Sequence, residues 1–181
     1  MDHKLKKLAA YYKPYRGLFW ADMFFAMLGA AITLIIPLMV RYITGTVVEM
    51  PLAESTKIIV QLGIVMVAMV ALEGFCNFFI TYSGHLMGVK IEHDMRNEIF
   101  AHYQKLSFAF YDNQKVGHLL SRITSDLFDI TELLHHGPED VVISVIKLVG
   151  AFLILVTVNV KLALVAIGIV LVMLVYAVAL N

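Results

Sequence analysis

The chain has 181 residues, of which 60% are hydrophobic and only 15% charged, with a mean hydropathy of +0.82. Folded in water it would expose apolar patches far larger than soluble proteins carry, so composition places it in a membrane. The formal net charge is zero and the basic residues do not gather on one face, which excludes a nucleic-acid footprint. Cys76 is the single cysteine and falls within an apolar run, so no internal disulfide is possible and its expected role is small core packing.

In chain order, the first thirteen residues place Leu5, Leu8, Ala9 and Tyr12 at i, i+3, i+4 and i+7 with lysines between. That spacing predicts a short amphipathic helix over 1–15 lying in the membrane interface, ended by Pro14. Four stretches then approach the roughly 20 apolar residues that a spanning helix requires. They run from about 17 to 40 with Asp22, 58 to 80 with Glu73, 141 to 160 with Lys147, and 162 to 180 with no charge. The last two are separated by little more than Lys161, which predicts a tight hairpin turn.

Lys4, Lys6, Lys7, Lys13 and Arg16 precede the first span, and Lys90, Arg96, Lys105, Lys115 and Arg122 lie between the second and third. Only Arg41, Lys57 and Lys161 flank the opposite ends. This bias predicts a multi-pass protein of the cell membrane with its N-terminus and residues 81–140 in the cytosol, and membrane lipid as its first partner.

From Thr81 to Asp140 the chain loses its uniform apolarity but keeps helical spacing, as at Ile91, Met95, Ile99 and Tyr103. Two helices continuous with the spans, folded back in the middle, would reach roughly 40 Å beyond the bilayer at about 1.5 Å per residue. A force-transmitting arm needs such length, whereas a substrate site does not. At the fold-back, Ser107, Asp112 and Asn113 favour caps and turns, and Gly117 is expected to supply a left-handed conformation. Phe108, Phe110 and Tyr111 would then stand at the tip, where aromatic rings are wasteful unless a partner covers them.

The run from Phe110 to Asp126 resembles the first cytoplasmic loop of the ATP-binding-cassette exporter transmembrane domain. The family pattern is an aromatic pair with Asp, then Val-Gly-x-Leu-x-Ser-Arg-Ile/Leu-x-x-Asp. It is matched at Phe110, Tyr111, Asp112, Val116, Gly117, Leu119, Ser121, Arg122, Ile123 and Asp126. Upstream, Arg96, Ile99, Phe100, His102 and Leu106 look like the helix leading into that loop, and Tyr12, Lys13, Pro14 and Tyr15 like the family's elbow entrance. His118 stands where the family usually has an acid, and Ser107 where proline is common. The resemblance covers essentially the whole chain and implies an all-α membrane protein, a partial exporter-type domain at 16–181 with long cytoplasmic extensions.

It further implies that the coupling element at 107–117 docks on a nucleotide-binding domain, in cis or in trans, and that a second half-transporter completes the working dimer. Ser121, Arg122 and Asp126 would steady the returning helix. The chain contains no Gly-x-x-x-x-Gly-Lys-Ser/Thr phosphate loop, so no cofactor is expected here; ATP and magnesium would belong to the nucleotide-binding domain. The fourth span ends without a basic anchor, which leads us to expect that the domain continues past residue 181.

Measured along the helices, Asp22 lies about 8 Å, Glu73 about 5 Å and Lys147 about 10 Å inside the inner bilayer surface. They are candidates for the substrate pathway; alternatively Lys147 pairs with Glu73, or the two acids reach the interface. Glu132-x-x-His135, with His136, Glu139 and Asp140 nearby, has the i, i+3 spacing of di-iron bundles, but only one copy is present. His85, His93 and His102 fit solvated helix faces. Neither a metal site nor a catalytic constellation is expected, because no second ligand motif and no nucleophile–base spacing occurs. The competing readings are a four-helix membrane protein acting as an ATP-independent carrier or sensor, and a helical metal-binding protein.

Overall fold

The computed structural model describes residues 3–112 and 114–180, and among them there are helices and no strands. Asn113 therefore lies outside the described residues. Helix α1 (His3–Ala10) leads through a 3-10 turn at Lys13–Tyr15 into α2 (Arg16–Gly45). A second 3-10 turn at Val47–Glu49 leads to α3 (Leu52–Tyr103); then follow the short α4 (Phe108–Asp112), α5 (Val116–Val158) and α6 (Val160–Ala179).

The apolar stretches and the polar arms are single continuous helices. Helix α3 has 52 residues and α5 has 43, about 78 Å and about 64 Å at 1.5 Å per residue. Each exceeds a hydrocarbon core of roughly 30 Å by tens of ångströms. Among the described residues, four helices are long and apolar enough to cross a membrane.

Helices α2, α3 and α5 pack on one another, and α6 packs chiefly on α5. Where α2 meets α3 the contact is made by small side chains: Ala26, Ala30 and Cys76 are buried, and Gly29 stands 3.5 Å, measured from an added Cβ, from the Cys76 Cβ. Small residues let two backbones approach closely, which is the main source of helix association where lipid is as apolar as leucine. A second cluster of Met87, Ile91, Met95 and Leu127 joins the two arms, and Leu8, Tyr11, Tyr12 and Tyr15 pack against it. The N-terminal segment is thus clamped onto the arms through its tyrosines.

The turn between the last two helices falls at Asn159, not at Lys161. Asn159 is extended (φ −161°, ψ 110°), and its side-chain oxygen accepts from the backbone N–H of Lys161 at 2.9 Å and of Leu162 at 3.3 Å. A capping side chain satisfies donors that lipid cannot, so the sharp reversal is placed by the asparagine rather than by the nearby charge.

Pro138 lies inside α5 and has no N–H to give the carbonyl of Leu134, four residues back. That carbonyl is taken up by the Tyr12 hydroxyl. The N-terminal segment therefore fills the hydrogen-bond gap made by a proline 126 positions later in sequence.

The candidate coupling turn and a buried polar site

The short α4 lies between the end of α3 and the start of α5. Phe108 is 90% exposed, whereas Phe110 and Tyr111 are half-buried and pack edge to face with centroids 5.4 Å apart. The Tyr111 hydroxyl donates to the Tyr103 carbonyl at 2.5 Å, tying the short helix to the end of α3. Asp112 is exposed. The tip thus has one ring anchored inward and one, Phe108, presented outward. Of the residues expected to steady the returning helix, Ser121, Arg122 and Asp126 are all exposed on α5. Arg96 cross-links the arms, its Nε donating to the Ile123 carbonyl at 3.4 Å.

Gly117 does not take the left-handed conformation expected of it. Among the described residues no glycine has positive φ, and Gly117 is the second residue of α5 with open space around its Cα. The chain reverses over residues 104–107 and 114–115, on either side of α4, so no single glycine has to stop a helix.

The three intramembrane charges are not brought together. Asp22 is completely buried, and its Oδ1 accepts from the Ser83 hydroxyl at 2.7 Å. Glu73 is half-buried and accepts from the Thr33 hydroxyl at 2.9 Å. Lys147 is exposed on α5. The expected Lys147–Glu73 pair is therefore replaced by Thr33–Glu73, and Asp22 points between helices rather than to the interface.

Around Asp22 a polar site is assembled that sequence spacing does not reveal. Ser83 and Gly84 of α3 and His135 and Glu139 of α5 are buried beside it. A Cβ added at Gly84 would lie 3.4 Å from His135 Cδ2, 3.6 Å from Glu139 Oε2 and 4.0 Å from Asp22 Oδ1, which places all three groups around one glycine. A Cβ at Gly88 would lie only 2.9 Å from His135 Nδ1. The signal that marks this place in the sequence is Gly84-His-Leu-Met-Gly88, a Gly-x-x-x-Gly spacing that opens one helix face to close approach. Asp22 Oδ2 and His135 Nε2 are buried with no hydrogen-bond partner among the described residues.

Outside the apolar spans, the N-terminal helix is held electrostatically. Glu98 accepts from the Tyr11 hydroxyl and lies 3.3 Å from the Lys7 ammonium. These two partners hold the Glu98 carboxyl below its usual range. Tyr11 is pushed up to about 12, first by burial and then by its bond to Glu98. A half-enclosed hollow lies here, lined by Tyr11, Met95, Glu98 and His102 among others.

Long helices overrunning the bilayer, an exposed aromatic tip between them and a small-residue seam define a multi-pass membrane protein with paired arms. Residues 19–181 match the model of the ABC transporter transmembrane region, and the chain belongs to that family. It is 42% identical over 160 residues to the uncharacterized ABC transporter ATP-binding protein YwjA of Bacillus subtilis (strain 168), covering 88% of this chain and 27% of that protein. With the uncharacterized ABC transporter ATP-binding protein YknU of the same strain it shares 31% identity over 137 residues, 76% of this chain and 23% of the relative. A putative multidrug export ATP-binding/permease protein of Staphylococcus aureus (strain NCTC 8325) is 27% identical over 166 residues, 90% of this chain and 29% of that protein. The chain thus spans about a quarter of the length of these relatives. Its helices are a stretch of an ABC transporter transmembrane region, and the four-helix carrier or sensor reading is not favoured.

Proposed function

We propose that residues 107–117 couple the membrane helices to a nucleotide-binding domain and that the whole transporter exports its substrate at the expense of ATP. The observation that carries this reading is the exposed Phe108 on a short helix slung between two arms that leave the bilayer together. A large ring held in water is unfavourable, and a partner's pocket is the economical way to cover it. The relatives' names describe ATP-binding and permease proteins, which supports a nucleotide-binding domain acting in cis or in trans and a second half-transporter.

This chain's residues do not fit ATP, since they include no phosphate loop; ATP and magnesium belong to the partner domain. The distribution of basic residues supports an orientation with the N-terminus and the arms in the cytosol, where ATP is. Of the pathway candidates, Asp22 is completely buried with one oxygen bound by Ser83, and Glu73 accepts from Thr33. Lys147, exposed on α5, retains its ammonium for the substrate path or the second half-transporter.

The test is a photo-reactive amino acid at position 108 in the protein expressed at its natural length, in proteoliposomes. A cross-link to the nucleotide-binding domain is expected, with Phe108→Ala lowering transport more than basal ATP hydrolysis. A label found in lipid would refute the assignment.

A further inference from the structure

We propose that His85, His135 and His136 form a binding site for a divalent transition ion of the zinc class, tying α3 to α5 at the base of the arms. One ligand nitrogen from each of the three rings lies within 4.8 Å of the others. Ring centroids are 4.9 Å apart for His85 and His135, 5.5 Å for His85 and His136, and 4.0 Å for the adjacent pair on α5. Three imidazoles suit zinc, copper or nickel and discriminate against magnesium and calcium, which prefer oxygen.

The decisive feature is His135. It is 3% exposed, and its Nδ1 lies 3.1 Å from the Thr131 carbonyl, an oxygen that only accepts, so Nδ1 carries the proton. In the neutral ring that leaves Nε2 with a lone pair, and this atom is buried without a hydrogen-bond partner among the described residues. An outer partner that fixes one nitrogen and frees the other is how metal-bound histidines are held. Gly88 makes the close approach possible, since a Cβ there would meet the ring at 2.9 Å.

Zinc-bound nitrogens lie roughly 3.3 Å apart, from a Zn–N bond of about 2.0–2.1 Å. The rings must close by somewhat more than an ångström, and His85, exposed, and His136, half-exposed, have the rotamer freedom to do so. The Glu132 carboxylate, 3.6 Å from His136 Nε2, adds negative charge for a dication. Sequence spacing pointed away from metal because α5 alone offers a single motif; the third imidazole comes from α3, 50 positions earlier.

The experiment uses the natural-length protein without a polyhistidine tag, stripped of metal with a chelator and placed in nanodiscs without nucleotide. Zinc chloride is titrated by calorimetry, and cobalt chloride by visible absorption. One ion per chain is expected, with the intense visible bands of tetrahedral cobalt. His85→Ala and His136→Ala should each weaken binding about tenfold or more, while the double change His93→Ala with His102→Ala leaves it unaltered. His85 and His136 are not buried, and a monodisperse elution profile checks that both variants fold. Absence of saturable one-to-one binding, or binding that persists when His85 and His136 are both alanine, would overturn the proposal.

Discussion

The bond from Tyr12 to Leu134 predicts a specific non-additivity. Tyr12→Phe leaves the Leu134 carbonyl without a donor, because Pro138 cannot supply one. An unsatisfied buried carbonyl costs about 1–3 kcal/mol, and since Tyr12 and Leu134 are half-buried the lower end applies, about 1 kcal/mol. In a Pro138→Ala background the alanine N–H closes the helical bond to Leu134, so the same Tyr12→Phe change should cost a few tenths of a kcal/mol at most. The four proteins of this cycle can be compared by unfolding in mixed micelles of non-ionic detergent and sodium dodecyl sulfate, followed by far-ultraviolet circular dichroism. A coupling near 1 kcal/mol is expected. If Tyr12→Phe costs the same in both backgrounds within about 0.3 kcal/mol, the tyrosine is not the proline's substitute donor.

Other outcomes follow from the same geometry. Gly88→Ala should destabilise by about 1–3 kcal/mol because the methyl meets a ring held by Thr131; a variant as stable as the parent in a thermal-shift assay would contradict the packing described. Phe108→Ala should leave thermal stability within about 0.5 kcal/mol of the parent while transport falls. The hold on α1 should depend on pH at both ends. Glu98 is depressed in the folded state, so its contribution is present above the ordinary carboxyl range and is lost as pH falls through it. Tyr11 is raised, so its contribution is complete below its usual value near 10 and disappears as pH climbs towards 12. Amide-exchange protection of residues 3–10, corrected for intrinsic rate, should therefore peak on a plateau between those limits, and a monotonic profile would argue against Glu98 and Tyr11 as the clasp.

The helices were legible because apolar runs and 3.6-residue periodicity are local properties, and the fold-back was legible because aromatic and turn-forming residues interrupt that periodicity at Ser107–Asp112. What escaped was what depends on two distant segments meeting. Asp22 and Ser83 are 61 positions apart, and Tyr12 and Leu134 are 122 apart; no period within either helix announces such a partner. Depth along the bilayer, estimated by counting residues, put Glu73 and Lys147 within reach of each other, but it carries no information about which way a helix faces. Rotation about the axis decided that pair, sending Lys147 outward and turning Glu73 to Thr33. At Gly117 the error was of another kind: a residue permitted to adopt positive φ was assumed to use the permission.

The two arms differ in stiffness. Helix α3 runs from Leu52 to Tyr103 with no internal proline, whereas α5 carries Pro138 near the foot of its arm. Over an arm of roughly 35 Å, a tilt of about 10° displaces the far end by roughly 6 Å. One member of the pair behaves as a rod and the other as a rod with a joint. On the coupling proposed above, a push at Phe108 would pass into the bilayer along the first and be taken up in the second as bending beside the segment that Tyr12 grips.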